Sequence, residues 1–233
     1  MQKKTKVMHI KGSRNTTEQH IHINGTQLEN VQDFKYLGST KSEDSTCSKD
    51  IRTRIGMAKQ KMVQLNNIWK DRGIATDLKL ILLKCLVWPV MLYGCEAWTC
   101  RKADEKRLEA AEMWLYRRLL RIPWTDKRTN VSVLKELNAS KKILETVNKR
   151  RLKYVGHIIR NKNTNLMAAT LQGKIEARKK QGRPSVTYIE NIKKVSNMNI
   201  QEMAHRSLDR VIWRRAVQMS GVAANIDHDD ADR

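Results

Sequence analysis

The sequence predicts a mainly α fold with a small β-hairpin or sheet remnant at its amino-terminal end, and three observations predict it. Strand-like runs and the favoured two-residue hairpin dipeptide, Asn24-Gly25, are confined to the segment before Gly38. From Ser48 onward apolar residues recur at spacings of three and four, the period of one helix face. Apolar residues make up 40% of 233 positions, enough to pack one domain or two small ones, so the chain is not a disordered tail. Three segments are expected: a β remnant over 1–47, a helical bundle over 48–124 and a basic helical region over 125–233.

VMHI near Val7 and IHI at Ile21–Ile23 supply the first strand signals. Leu28, Val31 and Phe34, leading to Tyr36 and Leu37, read as a returning strand that Gly38 ends. So small a sheet needs helices or further strands behind it. Ile51, Ile55, Ala58, Met62, Leu65 and Ile68 define one helix, with Asp50 favouring the positive end of its dipole and Asp71-Arg72-Gly73 ending it. Thr76 or Asp77 caps the next, whose Leu78–Tyr93 stretch is apolar nearly all round and so expected to be buried, with Pro89 kinking or splitting it.

Asp104–Arg121 is a third helix, acids first and Arg117, Arg118 and Arg121 last, with a core stripe of Leu108, Ala111, Leu115 and Leu119. Pro123 stops it. Thr129 or Asn130 caps a short helix through Leu137, and Ser140 caps another that brings Ile143, Val147 and Val155 near one face. Gly182-Arg183-Pro184 marks a basic loop before two closing helices. The last has the capping pair Asn199 and Glu202 and carries Val211, Ile212 and Met219. No fixed-period repeat appears, which excludes a solenoid.

Charge indicates the partner. The formal net charge is +22, distributed as +2 over 1–47, +8 over 48–124, +12 over 125–183 and 0 over 184–233. Helices that merely need solubility achieve it with balanced Glu/Lys pairs, so this excess points to a polyanion, with RNA or DNA the leading candidate and the middle of the chain the binding region. The cysteines Cys47, Cys85, Cys95 and Cys100 lack the paired spacing of a zinc ribbon. The longest apolar run, Leu80–Tyr93, is broken by Lys84 and too short to span a bilayer, and no leader with a cleavage site opens the chain. No membrane partner is expected; the expected localisation is intracellular, the nucleus included, with reduced thiols.

Catalytic signals are sparse. Two-metal nucleotidyl transfer needs carboxylates on adjacent elements holding cations about 4 Å apart, and no such set is legible. Asp229 and Asp230 are consecutive but sit in a polar terminal tail without a flanking strand to fix them. His20, His22, His157, His205 and His228 lack spaced partners for a metal or a nucleophile. Phosphate-binding glycine motifs are absent. Lys179, Lys180 and Arg183 fit a phosphate-contacting loop and a flexible basic linker equally well.

Four word-like segments carry a resemblance: FKYLGS at Phe34–Ser39, WPVMLYGCEAW at Trp88–Trp98, EMWLYRRLLRI at Glu112–Ile122 and RRLKYVGHIIR at Arg150–Arg160. Together they resemble the carboxy-terminal part of the endonuclease-reverse transcriptase polyprotein of non-LTR retrotransposons. The resemblance implies the end of the palm, the thumb and the region after it, from a parent that is a Mg²⁺-dependent RNA-directed DNA polymerase. By the same analogy Phe34, Lys35, Tyr36, Leu37 and Gly38 would help position the primer, a core-strand role for Phe34 and Leu37 being an equal alternative. Lys4 or Lys6 would correspond to a lysine assisting proton transfer. The thumb-like surface would contact phosphates through Lys59, Lys61, Lys70 and Arg72. Its basic continuation would be Arg117, Arg118, Arg121, Lys149, Arg150, Arg151 and Lys153, followed by Lys179, Lys180 and Arg183. Trp88, Tyr93, Trp98 and Trp114 fit a packed core better than base stacking. The catalytic aspartates would lie upstream of the segment aligned here, so no catalytic residue, metal site or cofactor is assigned, and the missing upstream polymerase region becomes an expected partner.

The expected function is therefore that of a retrotransposon-derived fragment that holds an RNA or DNA template-primer through phosphates without extending it. Two alternatives stand beside it: a helical protein-interaction module whose charge is incidental, and part of an active polymerase completed by upstream sequence.

Overall fold

The computed structural model describes residues 5–10, 20–161, 169, 171 and 187–223. Strands β1 (Lys6–Val7), β2 (His22–Ile23), β3 (Thr26–Gln27), β4 (Glu29–Asn30), β5 (Asp33–Tyr36) and β6 (Ser39–Ser42) form three two-stranded pairs. β1 runs parallel to β4, whereas β2–β3 and β5–β6 are antiparallel hairpins. Each hairpin turns on two residues with positive φ: Asn24 (50°) with Gly25 (75°), and Leu37 (47°) with Gly38 (81°). Such turns match the right-handed twist of their strands. Leu37 thus belongs to a turn and not, as the sequence suggests, to the strand before it. Its returning partner is the polar STKS of β6, which no apolar alternation announces.

The helices are α1 (Ser48–Gln64), α2 (Asn66–Lys70), α3 (Thr76–Leu86), α4 (Trp88–Met91), α5 (Lys102–Leu119), α6 (Asn130–Glu136), α7 (Ile143–Arg160), α8 (Tyr188–Ser196), α9 (Ile200–Leu208) and α10 (Arg210–Ala223). The fold is mainly α with a small amino-terminal β part, as the sequence predicts. Two apolar clusters organise the helices. The first joins Ile51, Met62, Trp69, Leu83, Met91, Trp98, Leu108, Leu115, Ile143 and Val147 with their neighbours. The second gathers Leu152, Val155, Ile192, Met203, Trp213 and Val217. α7 contributes to both, its first two turns to one and its last turns to the other. A fully buried Leu, Ile or Met side chain stabilises by about 1.5–3 kcal/mol, so these clusters dominate the energetics.

Several expectations are corrected. The periodicity from Ile51 to Ile68 does not form one helix. It breaks at Leu65 because the Trp69 indole N–H donates to the Met62 carbonyl at 2.8 Å, folding the last turn back. The Leu78–Tyr93 stretch does split at Pro89, with Val87 as the joint, but it is not buried all round. Leu78, Ile81, Leu86 and Tyr93 are 49, 56, 38 and 50% exposed, since α3 lies at the margin of the bundle with only one side covered.

Ser140 does not cap α7. The buried Glu112 of α5 does so instead, accepting from the Lys142 N–H at 2.9 Å and the Ile143 N–H at 3.3 Å. Among the described residues three helices, not two, follow the predicted basic loop. Asn199 caps α9 through the Glu202 N–H, and Asp209 caps α10 by accepting from Val211 and Ile212. In α10 it is Trp213 and Val217 that face the core, while Val211, Ile212 and Met219 are exposed. The core stripe of α5 and the Thr129 cap of α6 lie as read from the sequence.

Candidate nucleic-acid interface

The Tyr36-Leu37-Gly38 turn is held by two side chains, and the strands beside it by two more. The Arg54 guanidinium of α1 donates to the Gly38 carbonyl, and the Tyr93 hydroxyl donates to the Leu37 carbonyl at 3.0 Å. Arg54 itself lies over the Tyr93 ring, 4.3 Å from its centre. Asp50, buried in the first turn of α1, accepts from the Thr40 N–H (2.8 Å), the Ser39 hydroxyl (3.2 Å) and the Trp98 indole N–H (3.0 Å). So Asp50, read from sequence as a dipole partner, is also the tie between hairpin, helix and the Trp88–Trp98 segment. A lysine bridge from Lys49 to Asp33 fastens the outer strand and holds the Asp33 carboxyl below its usual range. With its carbonyls occupied, the turn presents Tyr36 and Leu37 outward, 59 and 76% exposed. Of the five residues assigned to primer positioning, Phe34 is half-buried and Lys35, Tyr36, Leu37 and Gly38 are exposed. Lys6 pairs with Glu29 at 3.0 Å, and Lys4 lies outside the described residues.

The predicted basic residues divide by environment. Lys59 of α1 sits over the Trp114 ring of α5 at 5.1 Å. Trp114 and Arg118 are one turn apart on α5, which places Lys59 and Arg118 on one side of the α1–α5 pair, and Arg121 follows two residues past the helix end. All three are exposed. Lys70 and Arg72, exposed, flank the end of α2, Lys61 is half-buried on α1, and Lys153 is exposed on α7.

Other arginines serve the fold. Arg117 donates to the Arg128 carbonyl at 2.9 Å, Arg150 donates to the Leu92 carbonyl at 3.2 Å, and Lys149 pairs with Glu145. Arg151 is only 1% exposed. Its guanidinium lies 5.2 Å from the Tyr188 ring centre and donates to Asn148 at 3.3 Å, so it is withdrawn from any external phosphate. That is a correction of the sequence reading: Arg151 lies on the face of α7 that meets α8 at Tyr188, so its head is covered. Lys179, Lys180 and Arg183 lie outside the described residues, as do Asp229 and Asp230.

Trp124 went unremarked in the sequence reading. It is 87% exposed, whereas Trp69, Trp88, Trp98 and Trp213 are buried and Trp114 is partly buried. The available signal was its setting, a Pro-Trp turn bracketed by Arg121, Lys127 and Arg128. Trp88 and Trp98 lie in the core, as expected for them.

The buried acids are structural. Asp104 accepts from the Ser48 hydroxyl (2.8 Å) and pairs with Arg107 (2.7 Å), joining the starts of α1 and α5. Burial pushes the Glu112 carboxyl above its usual range, against the opposing pull of the Lys142 N–H and the Tyr116 hydroxyl. Burial likewise raises the thiols of Cys95 to about 11 and Cys100 to about 12, which keeps both protonated and unreactive at neutral pH. Among the described residues no three His, Cys, Asp or Glu side chains converge as a metal site, and no helix is long and apolar enough to cross a membrane.

No family model matches the chain, and no solved structure matches it. A protein of Caenorhabditis elegans described as transposon-derived is 29% identical over 143 residues, covering 59% of this chain. The match spans 50% of that protein's length, so the chain corresponds to about half of it. Similarity to a transposon-derived protein is thus the finding that accompanies these exposed basic residues.

Proposed function

We propose that the chain is a retrotransposon-derived segment, related to the thumb and following region of a reverse transcriptase, that binds RNA or DNA through phosphates. The observation that carries this reading is the exposure of Lys59, Arg118 and Arg121 along and just past the α1–α5 pair, on a chain of net charge +22. The similarity to a transposon-derived protein supports the origin. Three of the acids that could offset the charge, Asp50, Asp104 and Glu112, are buried, where their oxygens hold helix starts together. The clamped hairpin would carry Tyr36 and Leu37 beside the polymer as a positioning element. On this reading the chain holds a strand and does not itself extend a primer; Mg²⁺-dependent extension would be the work of a polymerase partner.

The test is fluorescence anisotropy of a labelled oligonucleotide over a salt series. Counterion release predicts that log Kobs falls with log salt by about 0.7–0.9 for each phosphate neutralised. A flat response refutes phosphate binding, and primer extension by the purified chain with Mg²⁺ refutes the non-catalytic part.

The exposed Leu78, Ile81 and Leu86 on α3 favour a second reading, in which another protein surface covers this helix. Under it, Arg118→Gln with Arg121→Gln leaves the function intact.

A further inference from the structure

The turn between α5 and α6 is built to hold one aromatic ring outside the protein. α5 ends with Arg121 in the left-handed region (φ 59°), a position that favours glycine. The Ile122 N–H donates to the Arg117 carbonyl at 2.9 Å and the Arg121 N–H to the Arg118 carbonyl at 3.2 Å, the paired bonds of a Schellman ending. Ile122 then packs against the first apolar cluster and anchors one side of the turn. On the other side, Arg117 grips the Arg128 carbonyl at 2.9 Å, and Arg128 pairs with Glu136 at 2.6 Å. Between these anchors Pro123 fixes an extended entry and Trp124–Asp126 form a single 3₁₀ turn, closed by Lys127 in the left-handed region (φ 45°).

The result is a turn tied at both ends whose Trp124 is 87% exposed. An indole left in water forfeits one of the largest apolar gains available to a side chain and leaves a flat apolar face open to a ligand. The surroundings identify the ligand's chemistry. Arg121 and Lys127, three residues to either side of it in the chain, are exposed, as is Arg118 on the last turn of α5, and Asp126 is the one acid in the turn. A flat aromatic face among cations suits a ligand that carries both π faces and regularly spaced negative charge, which is a nucleic acid with unpaired bases. A duplex hides its base faces, and an acidic peptide offers no ring to stack.

We propose that Trp124 is a stacking platform for an unpaired nucleobase, with Arg118, Arg121 and Lys127 on the adjoining phosphates. The proposal rests on the nucleic-acid reading above and adds to it a preference for single strands and a named contact. It also accounts for Arg121 at a glycine-favouring position: glycine would relax the backbone and lose the cation.

The test uses the full chain, with Trp124→Leu and Trp124→Phe variants, and three labelled probes. These are a thymidine 20-mer, an abasic oligonucleotide of the same length and a duplex of the same length. Far-UV circular dichroism and thermal melts are expected to be unchanged, because the ring is exposed. Stacking is worth about 1–3 kcal/mol per base, so Trp124→Leu should weaken binding of the thymidine strand about five- to a hundredfold. Binding of the abasic strand and the duplex should not move, and Trp124→Phe should retain most of the affinity. Equal binding of the thymidine strand by the parent chain and Trp124→Leu overturns the stacking proposal while leaving phosphate binding in place. Equal losses on all three probes overturn it as well, by assigning Trp124 a general structural part. Failure of the parent chain to bind any probe at low salt overturns both readings.

Discussion

The Arg54 guanidinium lies over the Tyr93 ring, 4.3 Å from its centre, and both side chains reach past that contact to hold neighbouring carbonyls of one hairpin turn. The stack pairs a cation with an aromatic face while each polar end is used. The hairpin's attachment to the bundle therefore runs through a residue 50% exposed on one side and a nearly buried arginine on the other.

Tyr93→Phe keeps the ring and removes only the hydroxyl donated to Leu37, and is expected to cost about 0.5–1.5 kcal/mol. Tyr93→Leu also removes the face under Arg54, adding a loss of about 0.5–2 kcal/mol. Urea denaturation gives the totals, and amide exchange at Ser39 and Thr40 should accelerate more in the leucine variant.

Glu112 makes a pH prediction. Its folded pKa is raised by burial above the ordinary 4.5. The folded state thus holds the proton more tightly than the unfolded chain does. That contribution to stability is fully present below pH 4.5 and is lost as pH rises through the folded value. Glu112→Gln, which keeps an acceptor for the Lys142 N–H, should remove this fall. The difference between the two stability–pH curves is the measurement, since Asp33 and Asp44, with lowered values, act in the opposite sense in both proteins. Glu112→Leu leaves the Lys142 and Ile143 N–H groups and the Tyr116 hydroxyl without their acceptor and should cost about 2 kcal/mol or more.

Gly156 reverses an ordinary rule. Replacing a helix-interior glycine by alanine usually stabilises by about 1 kcal/mol. Here a Cβ would fall 2.1 Å from Nε1 of Trp213, a buried ring whose N–H donates to the Leu152 carbonyl at 3.1 Å. Gly156→Ala should therefore destabilise by about 1–3 kcal/mol, read as a lowered urea midpoint.

Thiol labelling distinguishes the exposed cysteine of α3 from two buried ones. Cys85 is exposed on α3, whereas Cys95 and Cys100 are buried with raised values of about 11 and 12. Reaction of the native chain with an aromatic disulfide at pH 8 should give Cys85 as the fast site, with Cys95 and Cys100 released only on unfolding.

Features that depend on neighbours in sequence were legible: the Asn24-Gly25 turn, the stripe of α5, the Thr129 cap and the break at Pro89. Features that depend on what packs opposite were not. Nothing local announces that Glu112 will cap a helix that begins 31 residues later, or that Trp69 will fold back onto Met62. Periodicity reported α3 as apolar on every side, but whether a second layer covers it is a property of the bundle. In the candidate interface, Arg118 and Arg121 could be read from the charge pattern at the end of α5. Arg151 could not be told from Arg150 until the second cluster showed which of them faces inward.

The dual membership of α7 has a consequence for how such a chain can be cut or shuffled. Ile143 and Val147 finish one interior and Leu152 and Val155 begin the next, on a single unbroken rod. Any breakpoint within it strands half of the rod's apolar face on each product, so modules exchanged by recombination must carry the rod whole, with a seam falling outside Ile143–Arg160.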